Sequence, residues 1–136
     1  MILLRRFFFV AFWAALIFAF VMAVLPKPPA LPGEPGDKVQ HIIAFVALTA
    51  LARLAYPRVR ALTLLLAFAL FGALIEFAQM LPALGRTAAL DDWLADVVAT
   101  MVVLAVLDPA RRLLARRKRS APEHMVDEPA EVAEAG

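Results

Sequence analysis

Glu76 is the residue of this sequence with the clearest capacity for chemistry, because it lies near the end of the otherwise almost wholly apolar stretch 61–81 (ALTLLLAFALFGALIEFAQML). An acidic side chain at the centre of a membrane-spanning helix costs roughly 2.5–3.5 kcal/mol on insertion scales, so by default it marks a functional site or a polar contact. A carboxylate in this position can act as a general acid or base, orient a bound ligand, or accept a hydrogen bond from another helix.

His41 and Asp92 are the other two candidates for catalysis. His41 follows Asp37 by four residues and Asp96 follows Asp92 by four, so each pair lies on one side of its helix. An imidazole oriented by a carboxylate is a general base or acid, and Glu76 would supply a second one. This set would suit hydrolysis or transfer at a lipid-linked phosphate or ester. A serine nucleophile is excluded because no serine lies near these residues.

The composition argues against a metal site. The chain has no cysteine and only two histidines, His41 and His124. A zinc site would therefore have to be built from histidine and carboxylates alone. The sequence predicts neither a metal nor another cofactor.

Each of these polar residues also has a purely structural interpretation. Glu76 can be an interhelical hydrogen-bond acceptor and His41 a hydrogen-bonding residue near an interface. Asp92 can cap the N-terminus of its helix. Gln79 and Asp96 can satisfy backbone groups at crowded helix ends.

The composition of the chain places these residues in a membrane protein. Of its 136 residues, 63% are hydrophobic and only 19% are charged, and the mean hydropathy is +0.79. Such a chain is too apolar for a soluble domain and long enough for one domain at most. We therefore expect an all-α integral membrane protein.

Four candidate spans form the predicted four-helix bundle, which occupies 1–107; the spans cover about 7–25, 38–56, 61–81 and 90–107. The first is expected to be a retained helix rather than a cleaved signal peptide, since its apolar run is longer than a typical signal peptide requires. Asp37 is expected to cap the second. The fourth is the weakest, because acidic residues fill its first turns and only 97–107 is nearly continuously apolar.

The lysines and arginines predict the orientation in the membrane. With both termini in the cytoplasm, ten of these residues in or near the loops lie inside: Arg5, Arg6, Arg58, Arg60, Arg111, Arg112, Arg116, Arg117, Lys118 and Arg119. Only Lys27, Lys38 and Arg86 lie outside, which agrees with the positive-inside rule. The expected location is the bacterial cytoplasmic membrane, as a multi-pass protein.

The segment 108–136 after the last predicted span divides into a basic and an acidic part. The basic run is expected to lie against anionic lipid rather than nucleic acid. The tail APEHMVDEPAEVAEAG that follows it offers little to bury and is expected to be disordered.

This topology brings the polar residues of three helices to one depth near the outer face. His41 lies about 6 Å below the outer end of its helix and Glu76 about 9 Å below that of the next. Because lipid cannot satisfy such groups, they should face one another, with Arg86 or Lys38 supplying positive charge. The predicted ligand-binding residues are Asp37, Lys38, His41, Glu76, Gln79, Arg86, Asp92 and Asp96.

Three motifs in this layer resemble the VanZ-like family of small bacterial membrane proteins: DKVQH-IIAF at 37–45, IEFAQ at 75–79 and GRTAALDDWLAD at 85–96. The resemblance covers about 37–107. Members usually carry an asparagine and a glycine where this chain has Asp96 and Ala99. The resemblance implies a role in the cell envelope and an influence on susceptibility to the lipoglycopeptide antibiotic teicoplanin.

Three kinds of function remain open from the sequence. The polar layer can bind an envelope lipid or a lipid-linked ligand at the outer face. It can be the active site of a membrane hydrolase or transferase. It can also fix the register of a structural scaffold that binds a partner membrane protein.

Overall fold

The fold is known from a computed structural model that describes residues 2–26, 33 and 36–120. Within these residues the chain is helical and has no strand, as the sequence predicts. The elements are α1 (Ile2–Val24), α2 (Asp37–Ala55), α3 (Ala61–Gln79), a 3-10 turn (Pro82–Leu84) and α4 (Leu90–Ser120). The predicted disordered tail at 121–136 lies outside the described residues.

Among the described residues, three helices are long and apolar enough to cross a membrane. They correspond to the first three predicted spans: Leu3–Val24, Asp37–Ala55 and Ala61–Gln79. The fourth predicted span forms the first part of α4, which is not among them, so a fourth crossing stays a prediction.

Glycine and proline explain several of the helix boundaries. α2 begins directly after Gly36 and ends before Pro57, and α3 ends shortly before Pro82, where the missing N–H and the fixed φ of proline interrupt helical hydrogen bonding. Gly85 closes the 3-10 turn with a φ of +57°, a left-handed conformation that glycine adopts readily.

One predicted feature of the helix ends is wrong. The residue that caps α2 is Gly36 rather than Asp37, whose carboxylate instead receives a hydrogen bond from Arg86. α4 continues past 107 to Ser120 with Pro109 inside it. The leucines, alanines, arginines and lysine after Pro109 are strong helix formers, so one proline does not end this helix.

α2 packs against both α1 and α4, and α3 packs mainly against α4. The apolar core contains edge-to-face pairs of aromatic rings, with centroids 6.0 Å apart for Phe45 and Phe68 and 6.4 Å apart for Phe12 and Phe68. Large apolar side chains also cover the outer surface, such as Leu62, Leu66 and Leu70 on α3. Broad apolar surfaces of this kind suit contact with lipid.

A ladder of polar pairs joins α2 to α4. His41 contacts Asp96, Thr49 donates to Thr100 at 3.4 Å, and Arg53 forms an ion pair with Asp108. The partners follow the same order along both helices, so α2 and α4 run in the same direction. Thr49, Asp96 and Thr100 are completely buried. The ladder is therefore a set of polar contacts in the interior of a protein whose surface is largely apolar.

Candidate functional site

The candidate site is built around a buried pair formed by His41 and Asp96. The Nδ1 atom of His41 lies 3.2 Å from Oδ1 and 3.3 Å from Oδ2 of Asp96. A carboxylate accepts hydrogen bonds, so the Nδ1–H group of His41 donates to it. In the neutral imidazole the lone pair then lies on Nε2, which is available to a proton or a ligand.

Gly72 of α3 makes room for this pair. A Cβ atom added to Gly72 would lie 3.0 Å from Oδ2 of Asp96 and 3.2 Å from Cδ1 of Trp93. The neighbouring Trp93 side chain is fixed by its indole N–H, which donates to the carbonyl of Ala69 at 2.9 Å. A side chain at position 72 would therefore crowd Asp96 against His41.

A second group of residues lies beside His41. Asp37, His41 and Asp92 each offer one nitrogen or oxygen atom, and these atoms all lie within 4.8 Å of one another. His41 and Asp92 are buried, whereas Asp37 is partly exposed. The structure therefore brings together a histidine and two carboxylates that are the kinds of group that bind metal ions, although the sequence predicted no metal site.

Arg86 brings positive charge to this group. Its Nη2 atom lies 2.8 Å from Oδ1 and 2.9 Å from Oδ2 of Asp37. Gly85 turns the chain just before Arg86, which allows the arginine to reach back to the start of α2. The sequence had left open whether Arg86 or Lys38 supplies this charge, and the contacts assign it to Arg86.

Lys38 lies at the surface instead. Its ammonium group forms an ion pair with Asp91, and the two side chains are about half and two-thirds exposed. Such surface pairs contribute little to stability.

Glu76 contributes to both the structural and the functional interpretations. Its Oε2 atom accepts a hydrogen bond of 2.6 Å from the backbone N–H of Ala89, which immediately precedes α4. Its Oε1 atom is buried and has no hydrogen-bond partner among the described residues. Glu76 also lies near enough to His41, Asp92 and Asp96 to interact with them electrostatically. One carboxylate oxygen of Glu76 thus binds the backbone just before α4, and the other makes no hydrogen bond to a described residue.

Gln79 is a second predicted site residue, after Lys38, that lies outside the polar group. It is buried, and its amide nitrogen donates to the carbonyl of Ala23 at 2.9 Å. This bond ties the end of α3 to the end of α1.

A small open cleft, with a cavity volume of about 60 Å³, leads to the polar group. Its apolar wall combines residues of α1, α2 and α3: Ala19, Met22, Ala23, Ala44, Phe45 and Ile75. Its polar end contains Asp37, Gln40, His41 and Arg86. The cleft therefore has the amphipathic lining that a molecule with an apolar part and a polar head would require.

Comparison of the chain with models of known protein families, with curated proteins and with solved structures found no match. The resemblance to the VanZ-like family therefore depends on the three sequence motifs alone.

Proposed function

We propose that the chain crosses the bacterial cytoplasmic membrane four times, with both termini in the cytoplasm. The shared direction of α2 and α4 supports a fourth crossing, because alternate helices of a multi-pass chain run in the same direction. The polar side chains of α4 support it as well. Asp96, Thr100 and Asp108 face α2 rather than the outer surface, and groups that lipid cannot satisfy are expected to be turned inward in this way.

We also propose that the chain belongs to the VanZ-like family and acts in the cell envelope. What supports this is that residues of the three motifs interact with one another: Arg86 with Asp37, and Glu76 with the backbone just before α4. A role in the envelope, including an influence on teicoplanin susceptibility, is the function that this family resemblance implies.

The function that this geometry favours is binding of an envelope lipid or lipid-linked ligand through its polar head. One observation carries the proposal: the cleft joins an apolar wall, which includes Phe45 and Ile75, to a polar end that contains His41 and Arg86. A lipid chain would lie along the wall and its head would reach the polar end.

Arg86 is the residue best suited to hold an anionic head. A guanidinium group has five N–H donors, and the hydrogen bonds that Arg86 makes to described residues all come from Nη2. The other donors can bind phosphate oxygens in the forked geometry that arginine favours. Asp37 holds the guanidinium in place for this contact.

A second candidate function is hydrolysis or transfer at a lipid-linked phosphate or ester. The observation that favours it is the bond between Nδ1 of His41 and the buried Asp96, since it leaves Nε2 as a base beside the cleft. In this case His41 would activate water, with Asp92 and Glu76 as the nearby carboxylates.

Arg86→Gln tests the binding proposal. Purified protein in detergent is titrated with a polyprenyl phosphate and with the corresponding alcohol, which lacks the phosphate. The wild type is expected to bind the phosphate at least about tenfold more tightly than the alcohol, since a charge-assisted contact contributes roughly 1.5–3 kcal/mol. Arg86→Gln should remove this difference.

Arg58→Gln is the matched control, because Arg58 is exposed at the other end of α2. It should bind both compounds as the wild type does. Equal binding of phosphate and alcohol by the wild type would contradict the proposal and favour the scaffold that binds a partner membrane protein. Release of inorganic phosphate that depends on His41 would favour the enzyme.

A further inference from the structure

The orientation of His41 is the first of two observations that point to a metal ion. Asp96, which is completely buried, accepts the hydrogen bond from Nδ1 and so directs Nε2 away from itself. Histidines that bind metals almost always donate their other ring N–H to a carboxylate, a carbonyl or water, which fixes the tautomer and raises the basicity of the ligating nitrogen. His41 shares this arrangement, because its Nδ1–H group donates to the carboxylate of Asp96.

Asp92 is the second observation. Asp92 is only 7% exposed, and no hydrogen bond joins its carboxylate to another described residue. The two nearby cations are engaged elsewhere, since Lys38 pairs with Asp91 and Arg86 pairs with Asp37. Burial of a carboxylate is costly unless it is paired or coordinates a metal. Asp92 therefore forms no ion pair with Lys38 or Arg86, and one of its oxygen atoms lies within 4.8 Å of ligand atoms of Asp37 and His41.

We propose that Asp37, His41 and Asp92 form a binding site for a divalent first-row metal ion, with Zn²⁺ as the best match. Their three ligand atoms lie within 4.8 Å of one another. An imidazole with two carboxylates suits Zn²⁺ better than Mg²⁺ or Ca²⁺, which prefer oxygen ligands. The carboxylate of Asp37 has further lone pairs besides those that accept from Nη2 of Arg86, so it can ligate the metal without releasing the arginine. The cleft lined by Asp37 and His41 provides an entry path.

The metal would also give the cleft a means of holding a phosphate, a step that rests on the proposed lipid-binding function. Asp37 and Asp92 alone would repel a phosphate. Three protein ligands leave one position on Zn²⁺ open, and a phosphate oxygen can fill it beside the donors of Arg86. The head of the ligand would then lie between the metal and the guanidinium group.

Zinc binding by the full-length protein in detergent, without lipid, tests this inference separately from the lipid proposal. Calorimetry should detect one strong site per chain, with Zn²⁺ bound at least about 100-fold more tightly than Mg²⁺. Asp92→Asn should lower the zinc affinity at least about tenfold, and Asp96→Asn should lower it about 10–100-fold by weakening the support of His41.

Two control variants separate this site from other acidic or histidine-containing parts of the chain. Glu134→Gln removes a carboxylate far from the site in the sequence and His124→Ala removes the other histidine, and both should retain wild-type affinity. Asp92→Asn should also keep the wild-type melting temperature without zinc, because its carboxylate makes no hydrogen bond to lose. Absence of a strong site, or equal zinc affinity in Asp92→Asn and the wild type, would overturn the inference. Lipid binding that persists without zinc would contradict only the role of the metal in holding the head.

Discussion

Arg53→Ala is expected to lower the free energy of unfolding by about 3–5 kcal/mol, the range for removing one partner of a buried ion pair. Arg53 and Asp108 are both nearly buried, with Nε of Arg53 2.5 Å from Oδ1 of Asp108. Nη1 of Arg53 also donates to the carbonyl of Val59 at 2.6 Å. The alanine variant leaves Asp108 without its partner between α2 and α4. Chemical unfolding in detergent micelles measures the effect.

Lys38→Ala is the matched control for this prediction. Its ion pair with Asp91 joins the same two helices but is exposed, so its loss should cost less than about 1 kcal/mol. Replacing Arg53 by methionine together with Asp108 by leucine should recover much of the loss, because no buried charge remains unpaired. Equal losses in Arg53→Ala and Lys38→Ala would show that α2 and α4 do not enclose the Arg53 pair.

Phe45→Ala is expected to destabilise the protein by about 3–5 kcal/mol, as large-to-small changes in well-packed cores do. Phe45 is 1% exposed and its ring packs against those of Phe68 and Phe71. It also forms part of the cleft wall. The variant should therefore also change the binding of a lipid chain, and both effects can be measured in detergent by unfolding and by titration.

Phe77→Ala makes the same chemical change at an exposed position of α3. It should alter stability by no more than about 0.5 kcal/mol and leave lipid binding unchanged. If Phe45→Ala were as harmless as Phe77→Ala, the described core and the cleft built on it would be incorrect.

The sequence predicts the first three helices well because simple physical signals define them. Long apolar runs mark their interiors, and Pro26, Pro57 and Pro82 mark the places beyond which they do not extend. α4 is harder to predict, since Pro109 suggests an end that the helix formers after it override. Hydropathy and proline positions describe each helix separately, so they do not show how the helices meet.

The candidate site illustrates that limit. Glu76 and Gln79 are three residues apart on α3, yet Glu76 binds the backbone before α4 whereas Gln79 binds that of α1. Asp37 lies inside the first turn of α2 rather than at the cap, and its carboxylate binds Arg86, which is far away in the sequence. Spacing along one helix shows which residues share a side, but it does not identify the neighbour on that side.

Gly72 is a feature that sequence reasoning missed. Its position four residues before Glu76 placed it on the polar side of α3, and this was a usable signal. Its importance depends on the approach of Asp96 from α4, which only the packing reveals. The grouping of Asp37 and His41 with Asp92 likewise depends on the contact between α2 and α4.

Native mass spectrometry of gently extracted protein tests the central claim, that the cleft holds an envelope lipid by its polar head, most directly. The wild type is expected to carry a bound lipid of defined mass, and Arg58→Gln should carry it as well. Arg86→Gln should lose it. The claim would be contradicted if no bound lipid were detected on the wild-type protein. It would also be contradicted if Arg86→Gln retained the same lipid in the same amount.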